Sequence, residues 1–251
     1  MTSPQDAFRI SGQNRDSQIV ITCDHASNHI PPEVFAGNLG LPAIEMDRHI
    51  AYDVGAAGVA EQLGRLLNAP VICSTFSRLV IDPNRGEDDP TLVMKIYDGT
   101  IIPGNRHLSD DDLTWRLDHC YRPYHAAVAR LLAGRTAPVM IAIHSFTPKL
   151  AGRRPRPWHL GILYEKDQRL ARPMLAILSS QHDLCIGENE PYGGHLDGDS
   201  IDRHALAHGH PNLLIEIRND LIRTEIQQLN WAERLAPILA EVIAKTPITR
   251  G

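Results

Sequence analysis

The sequence predicts an α/β fold, with a mainly parallel central sheet flanked by helices on both faces. Short apolar runs typical of buried strands recur along the chain, and segments with helical periodicity separate them. Several of these runs end in a polar residue, at the place where open α/β sheets bind their ligands. Because 251 residues with 43% hydrophobic content can bury one substantial core, we expect a single domain over residues 1–251.

The first part of the chain is predicted to contain two strands and a long helix. Residues 17–23 form an apolar strand, which a proline-rich loop follows. A helix is expected over residues 42–66, because a proline suits its first turn and apolar residues recur at helical spacing. Residues 69–76 form the next strand, and residues 78–82 are a candidate for a short third strand. The expected buried stripe of the helix comprises Ile44, Ile50, Val54, Ala57 and Leu66.

A long loop and a further helix precede the central strands. Residues 84–108 are rich in Gly, Pro and Asp and are predicted to form an ordered loop over the site. Ser109 begins a helix that runs to about residue 132, because three aspartates follow at its positively polarised end. The remaining predicted elements are strands at 139–144, 160–164 and 212–218, a helix at 170–181, a loop at 188–202 and two helices separated near Thr224.

Charge and targeting signals exclude several classes of protein. A net charge of −5 argues against a dedicated nucleic-acid surface, and no block of Lys or Arg resembles a membrane-binding patch. The basic tract 149–159 has no periodicity and is interpreted as a solvated loop. No apolar stretch reaches the roughly 18 residues of a membrane helix, and the N-terminus lacks a signal-peptide core. We therefore expect a cytoplasmic protein with a small-molecule partner, and the sequence leaves its oligomeric state open.

The cysteines and serines favour neither thiol nor serine chemistry. Cys23, Cys73, Cys120 and Cys185 are widely separated, and no two of them have the C-x-x-C spacing. Those within apolar runs are interpreted as core residues and not as nucleophiles. A serine hydrolase is disfavoured because the chain has no G-x-S-x-G motif.

Polar residues near the ends of predicted strands point to metal-dependent hydrolysis. His144 follows the apolar run 139–143, Glu216 follows the run 213–215, and His25 lies just past another apolar run. Neutral imidazole is a common zinc ligand. A glutamate at a strand end beside a metal is a candidate general base. The alternatives are a loop histidine bonded to Asp24 and a structural ion pair of Glu216 with a nearby arginine, Arg218 or Arg85.

Six short motifs carry a resemblance to a known family. They are DHASN, HIAYDVGA, SRLVIDPNR, HSFTP, NEPY and LIEIRNDLI, in this order between about residues 20 and 221. Together they resemble the N-formylglutamate amidohydrolase family. The strings IAIHSF, IEIRND and VIDPNR are also similar to the zinc carboxypeptidase pattern.

The resemblance implies a fold, a reaction and a cofactor. The fold would be a zinc-carboxypeptidase-like (phosphorylase/hydrolase-like) core. The reaction would be hydrolysis of an N-formyl or other N-acyl amino acid, with N-formyl-L-glutamate giving formate and L-glutamate as in histidine degradation. The cofactor would be one Zn²⁺ per chain. The partner would be a small acidic N-acyl amino acid, with no nucleic acid and no membrane.

Roles for individual residues follow from the resemblance by position. His144 would ligate zinc, Glu216 would be the base and proton shuttle, and Arg85 with Asn84 would clamp the substrate carboxylate. The mechanism that this set of residues suggests adds three further candidates. They are Arg78 as an alternative to Arg85 on the oxyanion or the carboxylate, Tyr192 as a substrate contact or lid, and His204.

The third zinc ligand is where the chain departs from the carboxypeptidase pattern. Carboxypeptidases use His-x-x-Glu, whereas the residue three positions after His25 is Asn28, a poorer ligand. Asp47 is the candidate, because it shares the predicted helical face of the buried stripe and a buried carboxylate needs a cation. The alternative is a helix N-terminal acid stabilised by the macrodipole. His49 and Asp53, four residues apart, are interpreted as a hydrogen-bonded supporting pair.

Two further functions remain open from the sequence. One is a zinc peptidase or amidase that acts on a peptide-like substrate and needs an open groove. The other is a non-catalytic protein that binds an acidic metabolite, which the doubtful third ligand supports.

Overall fold

A central sheet organises the molecule, which the computed structural model describes over residues 7–194 and 196–247. The described strands are β1 (Phe8–Ser11), β2 (Ile19–Cys23), β3 (Val71–Ser74), β4 (Ile96–Tyr97), β5 (Thr100–Ile101), β6 (Val139–Phe146), β7 (Leu160–Leu163), β8 (Ile186–Glu188) and β9 (Asn212–Arg218). Strands β4 and β5 form a separate hairpin, and the other seven form one sheet in the order β1-β3-β2-β6-β9-β7-β8.

The centre of this sheet is parallel and its margins are mixed. Strands β3, β2, β6 and β9 run parallel, whereas β1 is antiparallel to β3 and β7 is antiparallel to β9. Every residue of the central strands β2 and β6 is buried, as expected for strands covered on both faces. The predicted fold class is therefore confirmed. The edge strands β1 (FRIS) and β8 (IGE) contain few apolar residues, and the sequence analysis predicts neither.

Helices cover both faces of the sheet. The described α-helices are α1 (Ala43–Met46), α2 (Ala56–Leu66), α3 (Asp110–Arg116), α4 (Arg122–Ala133), α5 (Ala171–Leu178), α6 (Ser200–His204) and α7 (Glu225–Lys245). Apolar residues of α2, α5 and α7 share one core cluster, and those of α4 and α6 share another. Among these helices none has the length and apolar character to cross a membrane.

Strand alternation decides which core each sheet residue joins. On β6, Ile141 and Ile143 pack toward α2 and α7, whereas Met140 and Ala142 pack toward α4. On β9, Leu214 likewise belongs to the α4 side. Because successive side chains alternate across a sheet, the next even-numbered residues of both strands face α4 as well.

The predicted long helix over residues 42–66 is wrong. The chain forms two helices there, α1 and α2, and Ile44 of the expected buried stripe is 71% exposed. The N-cap of α2 is Gly55, with φ of 82°. A Cβ at this position would lie 2.1 Å from the carbonyl oxygen of Ile222, so only glycine fits. The chain therefore leaves the helical path between α1 and α2, and this segment turns toward the sheet.

Two other predicted elements differ in detail. The helix from Ser109 begins as predicted, with a capping box to Asp112, but a π-helical turn over Leu117–Tyr121 separates α3 from α4. Such turns occur often at functional sites. Residues 78–82 form no strand and instead make buried turns. Thr224 caps α7, which is the break that the sequence predicts at this point.

Candidate active site

Three buried side chains converge at the carboxyl end of the central strands. His25 lies two residues beyond β2, His144 lies near the end of the neighbouring β6, and Asp53 lies between α1 and α2. The backbone N–H of Asp53 donates to the carbonyl oxygen of His25 at 2.9 Å, which fixes the turn against the sheet. Each residue offers one ligand atom, and these atoms all lie within 4.8 Å of one another.

The distances within this trio suit a small metal ion. Asp53 Oδ2 lies 3.3 Å from His25 Nδ1 and 2.9 Å from His144 Nδ1. Ligand bonds of about 2.0–2.2 Å in tetrahedral geometry place neighbouring ligand atoms about 3.3 Å apart. Both distances from Asp53 Oδ2 are therefore close to the spacing of two corners of such a site.

A second set of carboxylates orients the two imidazole rings. His25 Nε2 lies 2.6 Å from Asp82 Oδ1, and His144 Nε2 lies 3.4 Å from Asp24 Oδ2. Histidines that ligate metals commonly give their other ring nitrogen to a carboxylate, which fixes the tautomer and the ring plane. This arrangement leaves both Nδ1 atoms directed at Asp53.

One arginine links the ligand carboxylate to this outer set. Arg78 is buried, and its Nη1 and Nη2 lie 3.4 Å from Asp53 Oδ1 and 2.8 Å from Asp82 Oδ2. Burial alone would raise the pKa of Asp82, but the charges of Arg78 and His25 outweigh it and hold this pKa well below its usual range. Arg78 thus favours the ionised form of Asp82 and contacts both carboxylates.

The cluster nevertheless carries an excess of negative charge. The cluster holds three buried carboxylates, those of Asp24, Asp53 and Asp82, and one guanidinium, that of Arg78. Burial opposes the protonated form of His144, yet the nearby carboxylates of Asp24 and Asp53 raise its pKa well above the usual value. A divalent cation at the Nδ1 atoms would satisfy the same excess of charge, so the donor set fits a metal.

Glu216 stands directly opposite His144 in the parallel register of β6 and β9. Its side chain is 6% exposed, and among the described residues its Oε2 has no hydrogen-bond partner. Burial raises the pKa of Glu216 to about 7, with the charge of Asp53 adding to the effect and that of His144 opposing it. A carboxylate with this pKa can accept and release a proton near neutrality.

The alternative ion pairs for Glu216 do not form among the described residues. Arg218 Nε instead donates to Asp220 Oδ1 at 2.8 Å. Arg85 donates to the carbonyl oxygen of Asn84 at 2.7 Å and to Thr91 Oγ1 at 3.1 Å. A structural role as the partner of either arginine is therefore not supported.

These groups open onto a pocket of about 270 Å³. Its walls also include Asn84, Arg85, Tyr97, Leu163, Tyr192 and Leu214. The hydroxyl of Tyr121, from the π-helical turn, donates to the carbonyl oxygen of Arg85. Asn84 Oδ1 accepts from the backbone N–H of Ser200 at 3.2 Å. The loop that carries Asn84 and Arg85 is therefore held by the π-helical turn and by the first residue of α6.

Tyr192 lies on the pocket wall, where the sequence places a substrate contact or lid. Arg156 Nη1 donates to its hydroxyl oxygen at 3.1 Å. Tyr192 is 40% exposed, and its partial burial and then the nearby charge of Glu216 raise its pKa, whereas Arg156 opposes the shift. The phenol of Tyr192 thus remains neutral at pH 7 and lies close to the charges of both Glu216 and Arg156.

The structure corrects the expected third ligand. Asp47 is exposed at the C-terminal end of α1 and does not belong to the ligand trio, whose carboxylate is Asp53. The cause is the break before Gly55, which destroys the helical face that Asp47 was expected to share. Asn28, the other candidate, donates its side-chain amide to the carbonyl oxygen of Met46 at 2.9 Å.

Several other residues lie in unexpected surroundings. His49 contacts Asp98 at 3.4 Å and not Asp53. His204 lies outside the ligand trio, where its Nε2 is 2.8 Å from His125 Nδ1. Arg78 lines the pocket, but its two Nη atoms already contact Asp53 and Asp82. It is therefore better placed to position these two carboxylates than to bind a substrate.

Sequence reasoning missed the carboxylates that complete the site. The sequence assigns Asp82 no role, offers Asp24 only as an alternative hydrogen-bond partner of His25, and pairs Asp53 with His49. One signal in the sequence could have identified Asp53. The glycine at position 55 within a helical pattern marks a break, and an aspartate just before a break is well placed to leave the helix.

Comparison with known proteins identifies related chains. The family model for N-formylglutamate amidohydrolase matches residues 17–223. The crystal structure of a gene product from Agrobacterium tumefaciens aligns with a TM-score of 0.89 and 35% identity over 96% of each chain. An N-formylglutamate amidohydrolase from Ralstonia eutropha JMP134 aligns with a TM-score of 0.72 and 21% identity over 95% of this chain and 99% of that one. No protein with curated annotation matches the chain.

Proposed function

The chain belongs to the N-formylglutamate amidohydrolase family, and on that premise we propose that it hydrolyses N-formyl-L-glutamate, or a close N-acyl analogue, to the carboxylate and the free amino acid. It is an amide hydrolase by family. The observation that carries the proposed substrate class is one pocket that joins a buried general base, Glu216, to Arg85, which has no carboxylate of the described chain within ion-pair distance.

We propose that one Zn²⁺ ion is held by His25, Asp53 and His144. Two imidazoles and one carboxylate form a common ligand set for catalytic zinc and leave a coordination position open. When bound, the ion would supply Lewis-acid chemistry at the acyl carbonyl and would make water more acidic. Asp24 and Asp82 would hold the rings of the two histidines in position.

Glu216 moves the proton in this proposal. Its unpaired Oε2 takes a proton from the attacking water and then delivers it to the nitrogen of the leaving amine. In the metal-free protein burial raises the pKa of Glu216 to about 7, which lies close enough to neutral pH for both transfers. As the pH falls through this value the carboxylate becomes protonated, so activity should fall with it.

Arg85 and Asn84 would bind the α-carboxylate of the substrate. Arginine binds carboxylates through paired N–H donors, and the described residues place no acidic side chain within ion-pair distance of Arg85. The leucines Leu163 and Leu214 give the same pocket an apolar side. A volume of about 270 Å³ favours a small metabolite over the extended chain of a peptide.

The test is hydrolysis of N-formyl-L-glutamate by the wild type and by Glu216→Gln, measured as release of free amine. We expect kcat to fall by a factor on the order of 10² to 10⁴ in the variant. The melting temperature should change little, because Glu216 has no ion pair to lose. A variant with the wild-type rate would refute the proposed base. A wild type that binds the substrate without hydrolysing it would indicate a binding protein.

A further inference from the structure

Arg156 belongs to the basic tract 149–159, and its guanidinium makes several contacts with the rest of the protein. Its guanidinium lies 4.9 Å from the ring centre of Tyr192 and 5.8 Å from that of Phe146. Its Nη1 donates to the carbonyl oxygen of Thr147 at 3.2 Å and to the hydroxyl oxygen of Tyr192 at 3.1 Å. The preceding Arg154 is exposed, whereas Arg156 is half-buried. The tract is therefore more than a solvated basic loop.

The contacts of Arg156 leave one edge of its guanidinium available. Within the described part of the chain, Nε and Nη2 have no hydrogen-bond partner and no carboxylate lies within ion-pair distance. Two other arginines near the site differ, since Arg78 contacts Asp82 and Arg218 contacts Asp220. The Nε–Nη2 edge is one that binds a carboxylate through two parallel hydrogen bonds.

The position of Arg156 connects it to the pocket. Tyr192, its hydrogen-bond partner, lines the pocket together with Glu216 and Arg85. Phe146, the other ring beside it, lies two residues beyond His144 on β6. Arg156 thus lies next to the pocket, beside the lining residue Tyr192.

We propose that Arg156 recognises the side-chain carboxylate of an acidic N-acyl amino acid. This inference rests on the proposed function and assigns the two substrate carboxylates to different arginines. Arg85 binds the α-carboxylate, which every N-acyl amino acid carries. Arg156 binds the second carboxylate, which N-formyl-L-glutamate has and N-formyl-L-glutamine lacks. Arg156 is therefore a specificity-determining residue and takes no part in the proton transfers.

The test compares these two substrates, which have nearly the same shape, with the variant Arg156→Gln. We expect its KM for N-formyl-L-glutamate to rise about tenfold to a hundredfold, the range for hydrogen bonds to charged groups. The KM for N-formyl-L-glutamine and both kcat values should stay at the wild-type level. Arg156→Lys should keep part of the preference, because it retains the charge and loses the planar fork.

Arg154→Gln is the matched control, because it removes the same charge from the same tract at an exposed position. It should leave both KM values unchanged. An equal rise in KM for both substrates in Arg156→Gln, reproduced by Tyr192→Phe, would overturn the inference and show that Arg156 only positions Tyr192. Unchanged KM values would overturn it as well. A wild type that hydrolyses neither substrate would instead refute the proposed function, and the inference with it.

Discussion

Two pairs of buried histidines within the described chain have opposite surroundings. His25 and His144 lie with ring centres 5.0 Å apart, and the carboxylates of Asp24, Asp53 and Asp82 surround them. His125 and His204 lie with ring centres 5.1 Å apart. They hydrogen-bond to each other across 2.8 Å, and no described carboxylate lies within ion-pair distance of either ring.

The protonation behaviour of the two pairs differs accordingly. Burial opposes a charge on His144, but two carboxylates raise its pKa. Burial lowers the pKa of His125 to about 3 and that of His204 to about 4. The second pair is thus neutral near pH 7, with one ring donating to the other. The comparison teaches that the carboxylates around an imidazole, and not the imidazole alone, distinguish a metal site from a structural histidine.

Replacing one histidine of each pair should give the largest contrast. His144→Gln should lower kcat/KM at least about a thousandfold, because losing a ligand removes several kcal/mol of transition-state stabilisation. His204→Gln should leave kcat/KM within a few-fold of the wild type. Similar losses in both variants, measured on proteins of equal helix content, would contradict the distinction between the pairs.

Removing an outer carboxylate should sharpen the same contrast. Asp82→Asn should weaken metal affinity about 10- to 100-fold, the usual cost of losing the group that orients a ligating histidine. Asp98→Asn is the control, since Asp98 contacts His49 and Arg48 outside the trio. Competition with a chelator measures both affinities. Equal affinities for the two variants would show that Asp82 does not orient a ligand.

The comparison extends to two arginines of the pocket. Carboxylates of the protein hold Arg78, whereas Arg85 has none within ion-pair distance among the described residues. Arg85→Ala should therefore raise KM about tenfold to a hundredfold for N-formyl-L-glutamate and N-formyl-L-glutamine alike. Arg85→Lys should recover part of the loss. A change confined to kcat would place Arg85 at the reacting bond instead.

The neutral pair should affect stability and not activity. The folded state lowers the pKa values of His125 and His204, so it favours their neutral forms. Their contribution to the free energy of unfolding is therefore fully present above the pKa of the unfolded state, near 6.5. It is lost as the pH falls from there toward about 4, by roughly 2 kcal/mol per histidine at pH 5. Urea unfolding at pH 7 and pH 5 should show a smaller loss for His204→Gln than for the wild type. Equal losses would mean that the pair titrates normally.

The sequence predicts the parts of the site that local patterns encode. His144 and Glu216 follow apolar runs, and strand alternation places both on the face toward α4, where the pocket contains them. The parallel centre of the sheet follows from the same runs. These features depend only on neighbours along the chain and on the pleat of a strand.

The supporting carboxylates depend on tertiary contacts that no local pattern reveals. Asp82 contacts His25 across 57 residues, and Asp53 contacts His144 across 91. Asp47 was a reasonable candidate on a continuous helix, and the turn at Gly55 replaced it with Asp53. Likewise, whether an arginine near a site is neutralised or available depends on acids brought close only by folding.

Metal analysis of the purified protein tests the central claim that His25, Asp53 and His144 hold one metal ion. After reconstitution with zinc and removal of excess, the wild type should contain about one zinc per chain. Asp53→Asn should lose it, whereas Asp47→Asn, the exposed aspartate six residues earlier, should retain it. A wild type without bound metal, or an Asp53→Asn variant with the full amount, would contradict the assignment.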